Sequence, residues 1–442
     1  MKSGNITKSV FIALVAGVLF LSFSITALAA PDFNWRKYEG TTIRVLAGKS
    51  AYTPIAQKHT KDFEKLTGIR VIAEYYPSAQ LRRKLLMELG AKNKDLDVFG
   101  GMMKTNFQYH NAGWLETLDK YIKDPSLTSP DFDYEDYYPR VRSVINGQTI
   151  GITGSCNPQV LMYRKDLFEK YNIKVPANWE ELEAAAKKLT LDTNGDGKTD
   201  IYGWIARMNQ ENTAPFANFI YSNGARYLDE NRKPVFNSPE FVEGVKFYGR
   251  LMRNYGPPGG ATIGWKEVIG AFAQGRAAMT VEISIFAYLV LENPKSSKVA
   301  GKVGYALFPP GKPGMQITMM PCNTQHINNY SQKKEAAWYY LQYMNSKKVA
   351  LDYKLKGAVV ARRSTWQDPK WKAADRFPEL TKIMLNAFDN GLVGFEIPIA
   401  GFVEARKHLS QLVFTGYEDG DVQKVADETV KVVEEIMKRT EK

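Results

Sequence analysis

The pattern of apolar and polar positions is clearest in residues 151–189 of the chain. An extended, β-prone run at 158–163 is followed by a charged turn and then by a helix signal. Asn178 and Glu181 have the spacing of a capping box. The apolar positions that follow recur at helical spacing: Trp179, Leu182, Ala186 and Leu189. A strand that leads into a new group of helices is typical of a crossing between two lobes, and its first residues are then predicted to lie near a ligand.

Strand-like and helix-like segments alternate in the first quarter of the chain. Residues 42–47, 71–75 and 96–99 have the composition of buried strands, and the segments between them have helical periodicity. Gly68 stands where the first of these helices should end. This alternation favours a parallel sheet covered by helices on both faces.

The remaining chain is predicted to be mainly helical, with strands near 277–281, 304–310 and 319–327. It ends in an amphipathic helix at 422–437, and it contains no internal repeat or low-complexity tract. Domain boundaries are therefore expected at strands that cross between lobes rather than at linkers.

The first 29 residues have the pattern of a cleaved export signal. A basic start with Lys2 and Lys8 precedes an apolar run at 10–23, and the small residues at 27–29 suit signal peptidase. An uncleaved anchor is the alternative. No cysteine follows the predicted cut after Ala29, so a lipid anchor is not expected. The sequence predicts a periplasmic or extracellular protein.

Length, composition and charge narrow the class of protein further. The 442 residues suffice for two or three domains, and 44% hydrophobic with 24% charged residues is ordinary for a globular protein. The formal charge of +12 is spread along helices and mixed with acidic residues, without a basic block. A nucleic-acid or membrane-surface binder therefore rests on net charge alone and is not favoured.

Several blocks, taken in order, resemble family 1 of the extracellular solute-binding proteins, the sugar-type ABC importer group that includes maltose-binding protein. The blocks are FEKLTGIRV at 63–71, LDVF at 96–99, LMYRKDLF at 161–168, PANWEEL at 176–182, AFAQGRAAM at 271–279 and KKEAAW at 333–338. The resemblance covers about residues 40–440. It implies a monomer that binds a carbohydrate or polyol and presents it to membrane permease subunits.

The resemblance also implies the fold class: α/β, a two-lobed periplasmic-binding-protein-like fold of type II. Each lobe is expected to be a mainly parallel sheet flanked by helices, with the ligand cleft between the lobes and a hinge closure. The N-terminal lobe is predicted from 30–154 plus 324–358. The C-terminal lobe is predicted from 155–323 plus 359–442.

Carried over position by position, the resemblance predicts ligand-binding residues in loops at the cleft. They are Lys49, Ser50, Gly101, Asn157, Glu211, Asn212, Glu282, Phe286, Asn323 and Phe402. Trp265 and Arg362 are added from local pattern alone. Aromatic plates with amides, carboxylates and Arg suit a polyol, which offers hydroxyls at its rim and C–H groups on its faces. For each aromatic, core packing is the alternative, and for Glu282 it is a solvated strand end or a structural ion pair.

The two cysteines, Cys156 and Cys322, fall on the two crossing segments in this alignment, which should run side by side. A hinge disulfide is one expectation, and two buried free thiols are the other.

Asp192, Asn194, Asp196 and Asp200 stand at positions 1, 3, 5 and 9 of a calcium-loop spacing. The twelfth position is a glycine instead of the bidentate Glu, so the loop is incomplete. A structural calcium ion completed from elsewhere is one expectation, and a polar turn is the other. No other cofactor is expected.

A secreted glycosidase-like enzyme is the rival class, with Glu211 and Glu282 as paired carboxylates. The sequence contains no nucleophile elbow, zinc-type His motif or phosphate loop. Binding without catalysis is therefore the main prediction, and the ligand could be a sugar alcohol, a sugar or an anionic derivative.

Overall fold

The structure is a computed structural model that describes residues 33–441. The predicted signal peptide lies outside the described residues. Within them there are eleven strands: β1 (Thr42–Gly48), β2 (Arg70–Tyr76), β3 (Val98–Met102), β4 (Ser143–Ile145), β5 (Gln148–Cys156), β6 (Gln159–Arg164), β7 (Met279–Ile283), β8 (Val303–Ala306), β9 (Met319–Met320), β10 (Cys322–Ile327) and β11 (Leu392–Val393).

The same range contains sixteen α-helices. They are α1 (Thr53–Thr67), α2 (Ser78–Gly90), α3 (Met103–Asn111), α4 (Asp119–Ile122), α5 (Lys165–Lys170), α6 (Trp179–Lys188), α7 (Thr213–Ser222), α8 (Pro239–Tyr255), α9 (Trp265–Ala273), α10 (Lys334–Met344), α11 (Lys347–Leu355), α12 (Arg363–Gln367), α13 (Pro369–Ala374), α14 (Pro378–Asn390), α15 (Phe402–Tyr417) and α16 (Val422–Thr440).

The N-terminal lobe is built on a six-stranded sheet in the order β2-β1-β3-β10-β5-β4. β1 pairs in parallel with β2 and β3, whereas β10 runs antiparallel to β3 and β5. Phe63 of α1 is buried against this sheet, and Gly68 ends α1 with a left-handed φ of 70°. The predicted alternation of strands and helices in this region is confirmed.

The C-terminal lobe has a smaller, three-stranded sheet in the order β7-β6-β8, and both of its pairings are antiparallel. The expectation of a mainly parallel sheet is therefore wrong for this lobe, and the N-terminal sheet is mixed. A strand that crosses from the other lobe enters between two later strands, so neighbours need not follow the βαβ rule.

Helix α6 forms as the sequence predicts. The Asn178 side chain accepts a hydrogen bond from the Glu181 N–H at 2.8 Å, and the Glu181 carboxylate accepts one from the Ala177 N–H at 2.9 Å. Trp179 and Leu182 are buried, and the Trp179 indole stacks on the Phe247 ring with centroids 4.4 Å apart. The helix is packed within the C-terminal lobe.

The chain crosses between the lobes where β5 leads into β6 and again where β9 leads into β10. These crossings fall at 157–158 and at Pro321, within a few residues of the predicted boundaries. Residues 359–374, predicted for the C-terminal lobe, instead contact the N-terminal lobe. Val360 bridges Ser155, and the Lys354 ammonium of α11 lies 3.5 Å from the Trp366 ring centre and 3.8 Å from that of Trp371.

Candidate ligand-binding cleft

The hinge between the lobes is held by a disulfide. Cys156 and Cys322 are register partners in the β5–β10 ladder, and their sulfurs are bonded. The hinge disulfide is thus confirmed, and the alternative of two free thiols is not what the structure shows. Asn157 directly follows this bridge, and its N–H donates to the Pro321 carbonyl at 2.8 Å.

Two buried amides lie just past the bridge with unsatisfied atoms. Within the described residues, the Asn157 Oδ1 and the Gln159 Nε2 have no hydrogen-bond partner, although both atoms are buried. The Gln159 Oε1 accepts a hydrogen bond from Asn218 of α7 at 2.5 Å. Buried polar atoms are nearly always paired in native proteins, so unpaired ones at a hinge mark a place where a ligand or water completes the bonding.

Charged side chains from both lobes meet at the cleft. Lys104 of α3 places its Nζ 3.5 Å from the Glu396 Oε1, and Arg406 of α15 donates to the same oxygen through its Nη2. The Thr213 hydroxyl lies 3.5 Å from both oxygens of Glu396. The sequence analysis did not select Lys104, Glu396 or Arg406. We call these three residues the cleft ion cluster.

Burial changes the pKa of the lysine in this cluster. Desolvation lowers the pKa of Lys104 to about 8, and Glu396 opposes that shift while Arg406 and Arg82 add to it. The ammonium also lies 4.7 Å from the Phe395 ring centre. A lysine in this position is a strong hydrogen-bond donor that lacks its usual hydration.

A second group of polar residues lies in the loop before α7. Arg207 donates to both oxygens of Glu282, through Nε at 2.5 Å and Nη2 at 2.6 Å, and the Glu282 side chain is only 1% exposed. Both oxygens of the Glu282 carboxylate are therefore engaged by one guanidinium. Glu282 thus forms the structural ion pair that the sequence analysis gave as an alternative, and its contact with a ligand stays a prediction.

Glu211 and Asn212, on the same loop, differ from each other. The Glu211 side chain is 45% exposed and lies 3.9 Å from the Arg207 Nη1, so its oxygens are accessible. Asn212 is fully buried and donates to the Ser410 carbonyl at 3.1 Å, while its Oδ1 has no partner in the described chain. Both positions remain predictions as ligand contacts.

Trp265 and Phe286 form an aromatic plate beside this loop. Their rings stack with centroids 5.4 Å apart and planes 13° from parallel. Trp265 remains 36% exposed, whereas Phe286 is 8% exposed. Phe286 therefore packs against the Trp265 indole, and Trp265 is the solvent-exposed ring of the two. The Ile263 carbonyl joins the plate to the loop by accepting from the Met208 and Asn209 N–H groups.

The predicted residues of the N-terminal lobe lie at strand ends. Lys49 and Ser50 follow β1 and are exposed. Gly101 lies in β3 opposite Thr324, and a Cβ there would come 3.5 Å from His326. Asn323 is exposed on β10 and donates to the Ser155 hydroxyl at 3.1 Å. These positions suit a cleft, and their contact with a ligand stays a prediction.

Two predicted residues have other roles in the structure. Arg362 is 1% exposed, and it donates to the Asn345 carbonyl at 2.7 Å and to Asp136 at 3.1 Å inside the N-terminal lobe. Phe402 is fully buried and lies 6.0 Å from the Lys104 Nζ, so it packs beneath the cleft ion cluster. Arg362 is therefore a structural residue, and Phe402 is a packing residue.

The carboxylates of Asp192 and Asp200 in the loop at 192–200 accept hydrogen bonds from groups of the same loop. Asp192 accepts from the Gly195 and Gly197 N–H groups, and Asp200 accepts from the Thr193 N–H and hydroxyl. Across residues 33–441, no three His, Cys, Asp or Glu side chains are grouped as metal ligands. The calcium expectation for Asp192, Asn194, Asp196 and Asp200 therefore rests on their spacing alone. An unchanged melting temperature on chelation would contradict it.

The comparisons with known proteins identify the class. The model of the bacterial extracellular solute-binding protein family matches residues 47–351, so this chain belongs to that family. Members of the family serve transport rather than catalysis. Between residues 33 and 441, every helix is too short or too polar to span a bilayer.

Three similar proteins are about a quarter identical to this chain, and two of them have solved structures of the same architecture. The erythritol/L-threitol-binding protein of Mycolicibacterium smegmatis is 26% identical over 350 residues, 74% of this chain and 71% of that protein. A solute-binding protein from Agrobacterium radiobacter K84 in complex with ribitol is 26% identical, with a TM-score of 0.77 over 89% of this chain and 98% of that one. One from Agrobacterium vitis S4 with bound D-mannitol is 27% identical, with a TM-score of 0.74 over 90% and 99%.

Proposed function

We propose that this protein is the exported solute-binding component of an ABC importer and that it captures a sugar or polyol between its lobes. The observation that carries the proposal is the cleft ion cluster, in which a lysine of one lobe meets a carboxylate and an arginine of the other. Unpaired buried amides beside the hinge bridge support it. The polyols in the names of three relatives support this ligand class.

The chemistry of the cleft suits hydroxyl groups. Each hydroxyl of a polyol both donates and accepts, so it can donate to Glu396 or to the Asn157 Oδ1 and accept from Lys104 or Arg406. Hydrogen bonds to charged groups are the stronger ones, and they gain strength when the lobes exclude water. The exposed face of Trp265 offers an apolar surface for the C–H groups of the ligand.

A thermal-shift screen tests this proposal. Erythritol, ribitol, mannitol and common sugars would be compared with amino acids as the control class. A ligand present at 100 times its Kd stabilises the native state by about 2.7 kcal/mol, which raises the melting temperature measurably. Stabilisation by amino acids but by no sugar or polyol would contradict the proposed ligand class.

Two variants test whether the ligand binds in the cleft. Asn157→Ala removes a hinge amide with an unsatisfied oxygen, and we expect it to weaken binding about tenfold, the worth of one good hydrogen bond. Asn231→Ala, in an exposed turn of the C-terminal lobe, is the matched control and should bind normally. Equal affinities of the two variants, measured by calorimetry, would remove Asn157 from the site.

The proposal describes binding without turnover. The paired-carboxylate alternative needs Glu282, whose carboxylate is buried and engaged by Arg207 on both oxygens. Recovery of the ligand unchanged after incubation with the protein is the expected result. Release of a product would favour the enzyme instead.

Export and delivery complete the proposed role. The leader predicted to be cleaved after Ala29 would send the chain to the periplasm or the cell exterior, and a membrane permease would receive the ligand. N-terminal sequencing of the exported protein tests the cut. Ligand-stimulated uptake in vesicles that contain the cognate permease tests the delivery.

A further inference from the structure

The cleft ion cluster is unbalanced in charge. Lys104 from one lobe and Arg406 from the other both contact the Glu396 Oε1, and within residues 33–441 the hydrogen-bond partner of the second oxygen is the Thr213 hydroxyl. One carboxylate can neutralise one of these two cations. The positive charge of the second is left at the point where the lobes meet.

Because the three side chains of the cluster are buried, their excess positive charge is poorly screened by water. The side chains of Lys104, Glu396 and Arg406 are 12%, 1% and 17% exposed. Within the described chain the Arg406 Nε is also buried and has no hydrogen-bond partner. Water can do little to screen an excess charge in such a place, so an anion that reaches it would gain more than it would at the surface.

The nearby acidic groups do not supply the missing charge. Glu282 is held by both of its oxygens to Arg207, and Glu211 lies 3.9 Å from the same guanidinium while nearly half exposed. Glu282 in β7 and Glu211 in the loop before α7 therefore both face Arg207 rather than Lys104 or Arg406. A ligand that spans the cleft would meet an electropositive end at Lys104 and Arg406 and a hydroxyl-accepting end at Glu211.

We propose that the ligand of this cleft is a polyhydroxy monocarboxylate, that is, a polyol oxidised to a carboxylic acid at one end. Its carboxylate would bind between the Lys104 Nζ and the Arg406 Nε, and its hydroxyls would extend towards Asn157 and Glu211. A phosphate ester of a polyol is the competing anion, because Arg82 also lies near Lys104 and could face part of its charge near −2 at neutral pH. This inference rests on the proposed function and narrows its ligand class.

Matched ligand pairs test the inference on the full mature protein. Calorimetry at pH 7 would compare ribitol with ribonate and mannitol with mannonate, pairs that differ only at one terminal carbon. We expect each acid to bind at least tenfold more tightly than its polyol. Glycerol 3-phosphate and ribose 5-phosphate form the phosphate arm, and tighter binding of these than of the acids would overturn the carboxylate assignment.

Variants separate the charge effect from a loss of folding. Lys104→Met leaves one cation facing one carboxylate, and the preference for the acid should fall to threefold or less. Glu396→Gln raises the excess charge, and the preference should grow. Lys312→Met, which removes an exposed lysine paired with Glu240 at 2.8 Å, is the control and should keep the wild-type preference.

The outcomes distinguish the two proposals. Polyols that bind as tightly as their acids would overturn this inference and leave the proposed function in place. An unchanged acid preference in Lys104→Met or in Glu396→Gln would also overturn the inference. If no polyol, sugar or acid binds the wild-type protein, both proposals fail.

Discussion

Glu282 shows how burial decides what a single side chain does. Its position in the stretch after Met279 predicted a cleft carboxylate, and its pairing with Arg207 makes it part of the support for the loop that carries Glu211 and Asn212. The Tyr248 hydroxyl adds to this support by donating to the Arg207 carbonyl at 2.5 Å. The residues that present polar atoms to the cleft therefore depend on a buried ion pair.

Glu282→Gln should destabilise the protein by about 3 kcal/mol or more, because it leaves the guanidinium of Arg207 buried without its counter-charge. Urea unfolding followed by circular dichroism measures this change. Glu211→Gln is the control and should change the free energy of unfolding by about 0.5 kcal/mol or less, since its side chain is 45% exposed. Similar losses in the two variants would mean that the Glu282 pair is not the source of stability.

His326 should make the protein less stable in acid. Complete burial lowers the pKa of His326 to about 4, and its Nδ1 lies 2.6 Å from the Ile150 carbonyl oxygen. The unfolded chain takes up this proton near pH 6.5, so stability is lost as pH falls from about 6.5 towards 4. The full contribution is on the order of 3 kcal/mol.

The slope of unfolding free energy against pH in this window checks the prediction. His326→Gln should flatten the slope whatever its effect at neutral pH. His110→Gln, at a half-buried histidine at the end of α3, is the control and should keep it. An identical slope in wild type and His326→Gln would assign the acid sensitivity to the carboxylates instead.

Strands β5 and β10 act as one unit because they are paired by hydrogen bonds and by the disulfide. Asn157 and Asn323 each follow one of the two cysteines directly, so the bridge fixes the start of both cleft-facing segments. The bridge closes a sequence separation of 166 residues. Rotation of the lobes must therefore occur around this pair of strands rather than between them.

Replacing Cys156 and Cys322 together by Ser should lower the free energy of unfolding by about 2–5 kcal/mol, because the unfolded chain loses a long-range constraint. Differential scanning fluorimetry and urea unfolding measure the loss. Mass spectrometry of the native protein under non-reducing conditions should find no alkylated cysteine. Two alkylatable thiols would contradict the bridge.

The two lobes contact each other through polar groups. Lys104 is poorly hydrated where the lobes meet, as its lowered pKa of about 8 indicates, and Glu396 compensates this desolvation only in part. Arg140 of the N-terminal lobe donates to the Asp389 carbonyl at 2.6 Å as a second contact. Such an interface is expected to open readily in solution and to close when a ligand bonds to both sides.

Small-angle scattering should therefore show a smaller radius of gyration when the tightest-binding ligand of the thermal screen is added. Asn157→Ala should need a higher ligand concentration for the same change, and Asn231→Ala should match the wild type. A radius of gyration that does not change at saturating ligand would contradict the hinge closure.

Much of the architecture follows from local pattern. The capping box at Asn178, the left-handed Gly68 and the alternation in the first quarter are decided by neighbours in sequence, and all of them are confirmed. Ordered sequence blocks also sufficed for the family. The parallel sheet expected in the C-terminal lobe was wrong because strand direction depends on which distant segments pair, and local periodicity carries no record of that.

The residues of the cleft were the feature that the sequence predicted least completely. Asn157 was selected from its position in the family resemblance and Trp265 from local pattern, and the contact of both with a ligand stays a prediction. Glu396 and Arg406 left none, since they act only when α3 and α15 meet across the lobes. The sequence by itself determined the family and the helices and strands with local signals, and the resemblance offered the hinge disulfide as one of two expectations. Only the tertiary structure decided which charges face each other, because burial and pairing join residues hundreds of positions apart.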